Sequence, residues 1–220
     1  MARTKGFDQA DALQKAIRVF GMHGFSATSP DALMEAMGIG RQSMYDTFGN
    51  KRALFLKALD TYVEQSARLV GSPLEGPELG LAAIRRALIA FVERDDVTFG
   101  TGCMALNAVG EFGVGDPDIT AIFGRHREPH RQRLLKAFGD AQRRGELAPE
   151  AELEHLVAFF DSMLTGIRTA AKMETSRAEL RVLVDMTMTA LTRAGGARDK
   201  AAPSEAPRPA PRVRSTTRHR

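Results

Sequence analysis

Arg41 and Gln42 lie side by side in the segment from Gly24 to Phe55, and both side chains have the chemistry to recognise DNA bases. An arginine pairs bidentately with guanine, and a glutamine pairs bidentately with adenine. Further along, Asn50 is a good helix cap and Lys51 follows it. The free amides of a helix N-terminus and a nearby cation form a site suited to a phosphate. The segment therefore predicts a surface that binds nucleic acid rather than a catalytic site.

Two short helices joined by a glycine-bearing turn are predicted to position these side chains. In the first helix, Ser29 is a suitable N-cap and Pro30 takes the first helical position, where a missing N–H costs nothing. Gly38 ends this helix, because glycine adopts the left-handed conformation readily. Its core-facing residues recur at helical spacing. They are Leu33, Met34 and Met37.

The second helix is predicted from Arg41 to about Thr47, after Gly40. Met44 and Phe48 are four residues apart and share its apolar face. Arg41, Gln42 and Tyr45 project from another face. This is the pattern of a helix-turn-helix, whose second helix enters the major groove of DNA.

An earlier helix, from about Phe7 to His23, completes a predicted three-helix DNA-binding domain over residues 1–52. A single apolar stripe runs along it. The stripe consists of Ala10, Leu13, Ala16, Ile17 and Phe20. Three helices of this size bury little core, so we expect them to depend on the next helix for stability.

The first 55 residues resemble the N-terminal domain of the tetracycline-repressor-like (TetR/AcrR) transcription regulators. The resemblance rests on an AxxxFxxxGF entry, a Thr-Ser cap and a Y..F..K..LF run. These motifs are Ala16, Phe20, Gly24 and Phe25; Thr28 and Ser29; and Tyr45, Phe48, Lys51, Leu54 and Phe55. The match covers a quarter of the chain and is specific as a whole.

The resemblance implies a role for each DNA-facing residue. Thr28, Tyr45 and Lys51 are expected to contact phosphates, whereas Arg41, Gln42 and Ser43 are expected to reach bases. Asp46 is unusual on such a helix. It either accepts a hydrogen bond from a cytosine amine or orients Arg41 or Gln42.

Composition is that of an ordinary globular protein, with 43% apolar and 26% charged residues among 220. The single cysteine rules out an intramolecular disulfide and fits a reducing compartment. No apolar run is long enough to span a bilayer, and the N-terminus lacks the apolar core of a signal peptide. We therefore expect a cytoplasmic protein without a membrane partner.

The net charge of +4 is unevenly distributed. Residues 53–194 carry 17 basic and 20 acidic side chains, whereas residues 195–220 carry seven basic and two acidic side chains. The terminal segment is also rich in proline and is predicted to be disordered. It is interpreted either as a basic arm that raises non-specific DNA affinity or as an inert terminus.

The region from 53 to 194 is predicted to be a helical ligand-binding and dimerisation domain, which makes an all-α fold of about nine helices. Its predicted helices cover about 51–70, 84–94, 103–112, 117–144, 149–173 and 176–194. Breaks are expected at 71–77, which holds two prolines, and at 95–102. Pro129 is expected to kink the long fourth of these helices.

The last two helices are predicted to form a homodimer interface. Two long apolar stripes expose too much surface for a single copy, and a two-fold partner would complete a four-helix bundle. The resemblance implies the same pairing. The stripes consist of Leu153, Leu156, Val157, Phe160, Met163, Leu164 and Ile167, and of Leu180, Leu183, Val184, Thr187, Met188 and Leu191. The alternative is that both stripes are buried within one chain.

A small-molecule effector pocket is the other expectation from the resemblance. Aromatic and methionine side chains suit an apolar ligand, and Asn107 would supply a polar contact. The candidates are Phe91, Met104, Asn107, Phe112, Phe123, Phe159 and Met163. The alternative, which the residue types favour for any one of them, is that it belongs to the plain core.

Cys103 begins the segment Cys103–Asn107 that Glu111 follows, and this segment resembles a TetR subgroup whose cysteine reacts with electrophiles or oxidants. Cys103 stands at a predicted helix N-terminus, where the helix dipole favours a thiolate. The alternative is a small buried hydrophobic residue. His126 and His130, four residues apart, make only a weak metal motif, and no cofactor is predicted.

Two functions of different classes follow. The first is a dimeric regulator, usually a repressor, released from a palindromic DNA operator by a small molecule or electrophile. The second is a helical enzyme with Cys103 as nucleophile, although no histidine base is recognisable. A non-specific DNA-coating protein that depends on the basic tail is a third interpretation.

Overall fold

The structure is a computed structural model that describes residues 7–94, 103–113 and 115–195. These residues form nine α-helices and no β-strand, which confirms the all-α prediction. The helices are α1 (Gln9–His23), α2 (Pro30–Met37), α3 (Arg41–Phe48), α4 (Lys51–Leu74), α5 (Leu81–Val92), α6 (Met104–Phe112), α7 (Pro117–Arg143), α8 (Leu153–Lys172) and α9 (Arg177–Gly195). The predicted break at 95–102 lies outside the described residues, as does the predicted tail apart from Gly195.

The helix-turn-helix of α2 and α3 has the predicted caps. Ser29 Oγ accepts a hydrogen bond from the Ala32 amide at 3.1 Å, which satisfies one free donor at the start of α2. Gly38 ends α2 in the left-handed conformation with φ of 68°. Gly40 precedes α3 in an extended conformation. Local sequence signals therefore determine this turn.

Two hydrophobic cores hold the chain together. The first lies beneath the helix-turn-helix, and we call it the head core; it contains the buried residues of α1, α2 and α3 together with those of α6. The second, the body core, is formed by α5, α8 and α9 and the C-terminal halves of α4 and α7.

Helices α4 and α7 run through both cores. In α4, Phe55 and Leu59 belong to the head core, whereas Val70 belongs to the body core. In α7, Ile119 belongs to the head core and Phe138 to the body core. Helices α4 and α7 therefore connect the packing of the body core to that of the head core. The packing also crosses residue 52, as expected for a three-helix unit that depends on its neighbour.

Two predicted helix boundaries are wrong. Helix α4 continues to Leu74 and includes Pro73. A proline two residues from the end of a helix removes only one backbone hydrogen bond, so it does not stop the helix earlier. Helix α8 begins at Leu153 rather than near Pro149. The reason is Gln142, whose amide donates to the carbonyls of Ala148, Pro149 and Ala151 and holds them in a turn.

None of the helices in the described ranges is long and apolar enough to cross a membrane.

Candidate nucleic-acid interface and body cavity

Helix α3 presents a polar face to solvent. Met44 and Phe48 are buried and anchor α3 in the head core. Arg41, Gln42 and Tyr45 are exposed, and Tyr45 retains 40% of its surface. Tyrosine at this exposure is not a core residue, so the geometry agrees with the predicted outward face.

Two acidic side chains hold the base-reading candidates in place. Arg41 Nη2 donates to Asp31 Oδ1 of α2 at 2.9 Å, and Gln42 Nε2 donates to Asp46 Oδ1 at 2.8 Å. Asp46 therefore orients Gln42, which is one of its two predicted roles. Both contacts are at the surface, where such pairs contribute about 0–1 kcal/mol, so DNA can replace them at little cost. Ser43 is half-buried beside them.

Thr28 does not have the geometry expected of a phosphate contact. Its side chain is 2% exposed, and its hydroxyl donates to the Gly24 carbonyl at 2.6 Å. The hydroxyl is therefore used inside the protein. In this conformation Thr28 fixes the connection between α1 and α2, and its contact with a phosphate stays a prediction.

Lys51 lies at the first turn of α4, as predicted. Asn50 caps this helix, since its Oδ1 accepts from the Ala53 amide at 2.8 Å. The Lys51 ammonium lies 4.3 Å from the centroid of the Phe25 ring, and this cation–π contact holds it beside the helix N-terminus. The cation and the free amides of α4 together can bind a phosphate.

Helix α6 is fastened to the end of α1 by two polar side chains. Asn107 Nδ2 donates to the carbonyls of Phe20 and Gly21, at 3.3 and 2.8 Å. Glu111 accepts from the backbone amides of Phe25 and Ser26, both at 2.7 Å. We call these four hydrogen bonds the α6 tie. Sequence reasoning noted both residues as part of a motif but assigned neither of them this role.

The α6 tie also explains why residue 24 is a glycine. Its φ is +77°, a conformation that side chains rarely adopt, and a Cβ there would overlap Glu111 Oε1. Burial alone would raise the pKa of Glu111. The amide hydrogen bonds from Ser26 and Phe25 and the charge of Lys51 outweigh this effect and hold the pKa below its ordinary value. Glu111 is therefore ionised and accepts both bonds at neutral pH.

Arg52 makes a second connection to the head that sequence reasoning missed. Its Nη2 lies 2.8 Å from Asp116 Oδ2 and 3.0 Å from Asp118 Oδ2. Asp116 caps α7, so this cluster joins the start of α4 to the start of α7. Nothing in the local sequence around Arg52 indicates a partner 64 residues away.

A cavity of about 280 Å³ lies in the body between α4, α6, α7 and α8. Its α6 wall is Ala105, two residues from Asn107. Most of the lining is apolar, as is usual for small-molecule sites. The lining residues are Tyr62, Val63, Ser66, Ala67, Val70, Ala105, Phe123, His126, Arg127, His130, Asp161, Leu164, Thr165 and Arg168.

Of the eight candidate ligand contacts predicted from sequence, which include Cys103, Phe123 lines this cavity and the other seven do not. Phe112 packs against the head core. Cys103 and Met104 are buried in the head core, and Phe91 is buried in the body core. Phe159 packs on the body core from its edge, and Met163 is half-buried outside the lining. Asn107 forms part of the α6 tie. Helical periodicity identifies the buried face of a helix but not the neighbour it faces.

The two histidines of α7 line the cavity and are paired with carboxylates. His126 Nε2 lies 3.3 Å from Asp60 Oδ1, and His130 Nε2 lies 2.8 Å from Asp161 Oδ1. Burial would raise the pKa of Asp60, but hydrogen bonds from Arg125 and His126 hold it below its ordinary value. Within the described residues, no group of histidine, cysteine and carboxylate side chains is arranged to hold a metal ion.

Cys103 occupies the N-cap of α6 and is 4% exposed. The Tyr62 hydroxyl donates to its Sγ at 3.2 Å. Burial and the neighbouring Cys103 raise the pKa of Tyr62, so its hydroxyl stays protonated and remains a donor. Because Tyr62 also lines the cavity, it connects the thiol to the cavity wall.

Most residues of the apolar stripes of α8 and α9 are buried within the chain itself, but Leu183 of the α9 stripe is 37% exposed. Helix α8 packs against α7 and α9, and α9 packs against α5. The outward face of α9 retains other apolar residues, with Val182 at 56% and Met186 at 65% exposure beside Leu183. The buried members of the stripes are Leu156, Val157, Phe160, Leu164, Ile167, Leu180, Val184, Thr187 and Leu191.

An exposed helix-turn-helix on a helical body defines a class of DNA-binding regulators, and comparison with known proteins agrees. The family "Bacterial regulatory proteins, tetR family" matches residues 12–58, and "Tetracyclin repressor-like, C-terminal domain" matches residues 79–187. The chain belongs to the TetR family of DNA-binding transcriptional regulators. Members typically act as dimeric repressors that bind small-molecule effectors.

Individual relatives cover nearly the whole chain. It is 32% identical to the HTH-type transcriptional regulator YezE of Bacillus subtilis (strain 168), over 87% of this chain and 100% of that protein. It is 30% identical to the HTH-type transcriptional repressor ComR of Escherichia coli (strain K12), over 84% of this chain and 90% of that protein. A cysteine mutant of the TetR family regulator CifR has been solved in complex with 26bp double-strand operator DNA. It superposes on this chain with a TM-score of 0.68 at 30% identity, over 86% of this chain and 99% of that chain.

Proposed function

We propose that this protein is a homodimeric repressor whose affinity for a palindromic operator is controlled by a small molecule in the body cavity. The observation that carries the proposal is the position of α6. Ala105 of α6 lines the cavity, whereas Asn107 and Glu111 of the same helix hold the end of α1. A ligand that displaces α6 therefore displaces the DNA-binding head.

The DNA contacts are assigned to the exposed face of α3 and the start of α4. Arg41, Gln42 and Ser43 contact base edges, while Tyr45 and Lys51 contact phosphates. Support comes from the exposure of Arg41, Gln42 and Tyr45 and from the position of Lys51 at a capped helix N-terminus. In this division, residues 1–52 are the DNA-binding domain, residues 53–194 bind the effector and the partner subunit, and residues 195–220 are a basic tail.

The relatives support repression and operator binding. ComR is a transcriptional repressor, and CifR has been seen bound to operator DNA. In a two-state regulator, the effector releases DNA only if it binds the form with wrongly spaced heads more tightly. The outward face of α9, with Val182, Leu183 and Met186, is the apolar surface we assign to subunit pairing.

Cys103 is proposed as a second input to the same helix, as in the TetR subgroup that its segment resembles. The Sγ atom lies at the N-cap of α6 and accepts the Tyr62 hydrogen bond. Modification of this thiol needs a transient opening, because Cys103 is 4% exposed. A modified sulfur would no longer fit under Tyr62 and would displace the start of α6.

The experiment is a titration of the full chain against an operator selected from random duplexes, at several salt concentrations. Lys51→Ala should weaken binding to every sequence and reduce the salt slope by about one. Arg41→Ala should cost about 1–3 kcal/mol and relax preference at one base position. Arg68→Ala is the matched control, since Arg68 is an exposed arginine on the body part of α4. Arg68→Ala should bind like the parent. If Lys51→Ala and Arg41→Ala also bind like the parent, the assigned interface is wrong.

A further inference from the structure

Two arginines line the body cavity without an acidic partner among the described residues: Arg127, which is exposed, and Arg168, which is half-buried. Arg168 lies on α8, and no carboxylate of the described residues is within ion-pair distance of its guanidinium. Its Nη2 donates to Ser66 Oγ at 2.7 Å, and its Nε is buried with no hydrogen-bond partner among the residues that the structure describes. A buried N–H group without an acceptor is costly, so an acceptor that reaches it would be favoured.

The surroundings of Arg168 favour an anion over a neutral acceptor. The guanidinium lies over the Phe91 ring at 5.5 Å, which shields one side of it from water and strengthens its field in the cavity. Asp161, the acidic residue of the lining, is already paired with His130 at 2.8 Å. Ser66 accepts from Arg168 and keeps its own hydroxyl proton as a donor.

The rest of the lining limits the size and character of the ligand. Val63, Ala67, Val70 and Leu164 form an apolar wall, and Phe123 adds an aromatic surface. A volume of about 280 Å³ is at the small end of the range for ligand sites. The cavity therefore suits a ligand with a compact apolar part and an anionic group.

We propose that the body cavity binds a small apolar carboxylate, with Arg168 and Ser66 holding the carboxylate and the apolar wall holding the hydrocarbon part. This inference rests on the proposed function, because it names the class of effector that the cavity accepts. The planar fork of arginine matches a carboxylate, with two parallel N–H donors available once the ligand arrives.

The test uses benzoate, phenylacetate and octanoate, each paired with its neutral amide, in calorimetric titrations of the full chain. At least one acid should bind about tenfold or more tightly than its amide, the difference expected for a charge-assisted pair. Arg168→Met should remove that preference. Arg127→Met is the matched control, since Arg127 also lines the cavity but is exposed, and it should keep the preference.

Three results would overturn the inference: no acid of the panel binds, the amides bind as well as the acids, or Arg168→Met keeps the preference. Arg168→Lys covers the possibility that the methionine variant does not fold, because it retains the charge and should show an intermediate preference. A purely structural role for Arg168 would lower the Tm without changing the ratio of acid to amide affinity.

Operator binding measured on the same samples separates this inference from the proposed function. If Arg168→Met binds the operator normally but no longer distinguishes acid from amide, both stand. If the wild type binds acids selectively but no operator, the proposed function fails and the ligand class stands.

Discussion

Replacing Glu111 with glutamine tests the α6 tie directly. The carboxylate accepts the amides of Phe25 and Ser26 at 2.7 Å, one on each oxygen. Glutamine offers one oxygen and one NH₂ group, so Glu111→Gln keeps at most one hydrogen bond and sets a donor against the other amide. The connection between α6 and the head should weaken while the helix itself remains.

The size of the effect follows from the geometry. Hydrogen bonds to charged groups contribute about 1.5–3 kcal/mol each. Because Glu111 is exposed to solvent, we take about 1–2 kcal/mol for the loss in the glutamine variant. That free energy corresponds to a factor of about 5–30 in the local opening equilibrium.

Amide hydrogen exchange is the assay, since it reports local opening at single residues. In Glu111→Gln, the Phe25 and Ser26 amides should exchange about 5–30-fold faster. Operator affinity should fall as well, because the head loses its fixed position. Glu146→Gln is a matched control: Glu146 Oε2 also accepts a backbone amide at 2.7 Å, from Leu81 in the body. Unchanged exchange at Phe25 and Ser26, or an equal change in both variants, would refute the reasoning.

Three further predictions concern neighbouring features. Gly24→Ala should lower the Tm and weaken operator binding, because its φ of +77° and the overlap with Glu111 both oppose a side chain. Gly113→Ala is the control, since Gly113 has a similar φ of 62° with open space around it. It measures the cost of backbone strain without the overlap. The Glu111 contribution to stability is complete above its unfolded pKa of about 4.5 and is lost as pH falls through the lower folded pKa; denaturant titrations below pH 5 should therefore show a shallower loss in Glu111→Gln than in the wild type. Met186→Asp should shift the protein from dimer to monomer in light scattering with helicity unchanged, and a dimer that survives it would place subunit pairing elsewhere.

The sequence predicted the head of the molecule in detail because its signals are local. The Ser29 cap, the left-handed Gly38 and the Met44 and Phe48 pair each act within one helical turn, and all of them lie where they were expected. The boundary of α8 was mispredicted because Gln142, a residue outside that helix, holds the preceding turn.

The body was harder to predict because its functional contacts are distant in sequence. Asn107 and Glu111 bond to residues more than 80 positions away, and no periodicity reveals such partners. Arg168 could have been found, since it interrupts the apolar stripe of α8 between Ile167 and Ala171. A charged residue within a buried stripe is a useful signal for a functional cavity.

Hydroxyl-radical footprinting of the full chain on the DNA upstream of its own gene tests the central claim most directly. A dimer that inserts two copies of α3 into DNA should protect two symmetric patches, with centres about one helical turn or a multiple of it apart. In the Arg41→Ala variant, the difference in cleavage between protected and unprotected positions should decrease in both patches. Uniform protection along the duplex, or a single protected patch, would contradict the account.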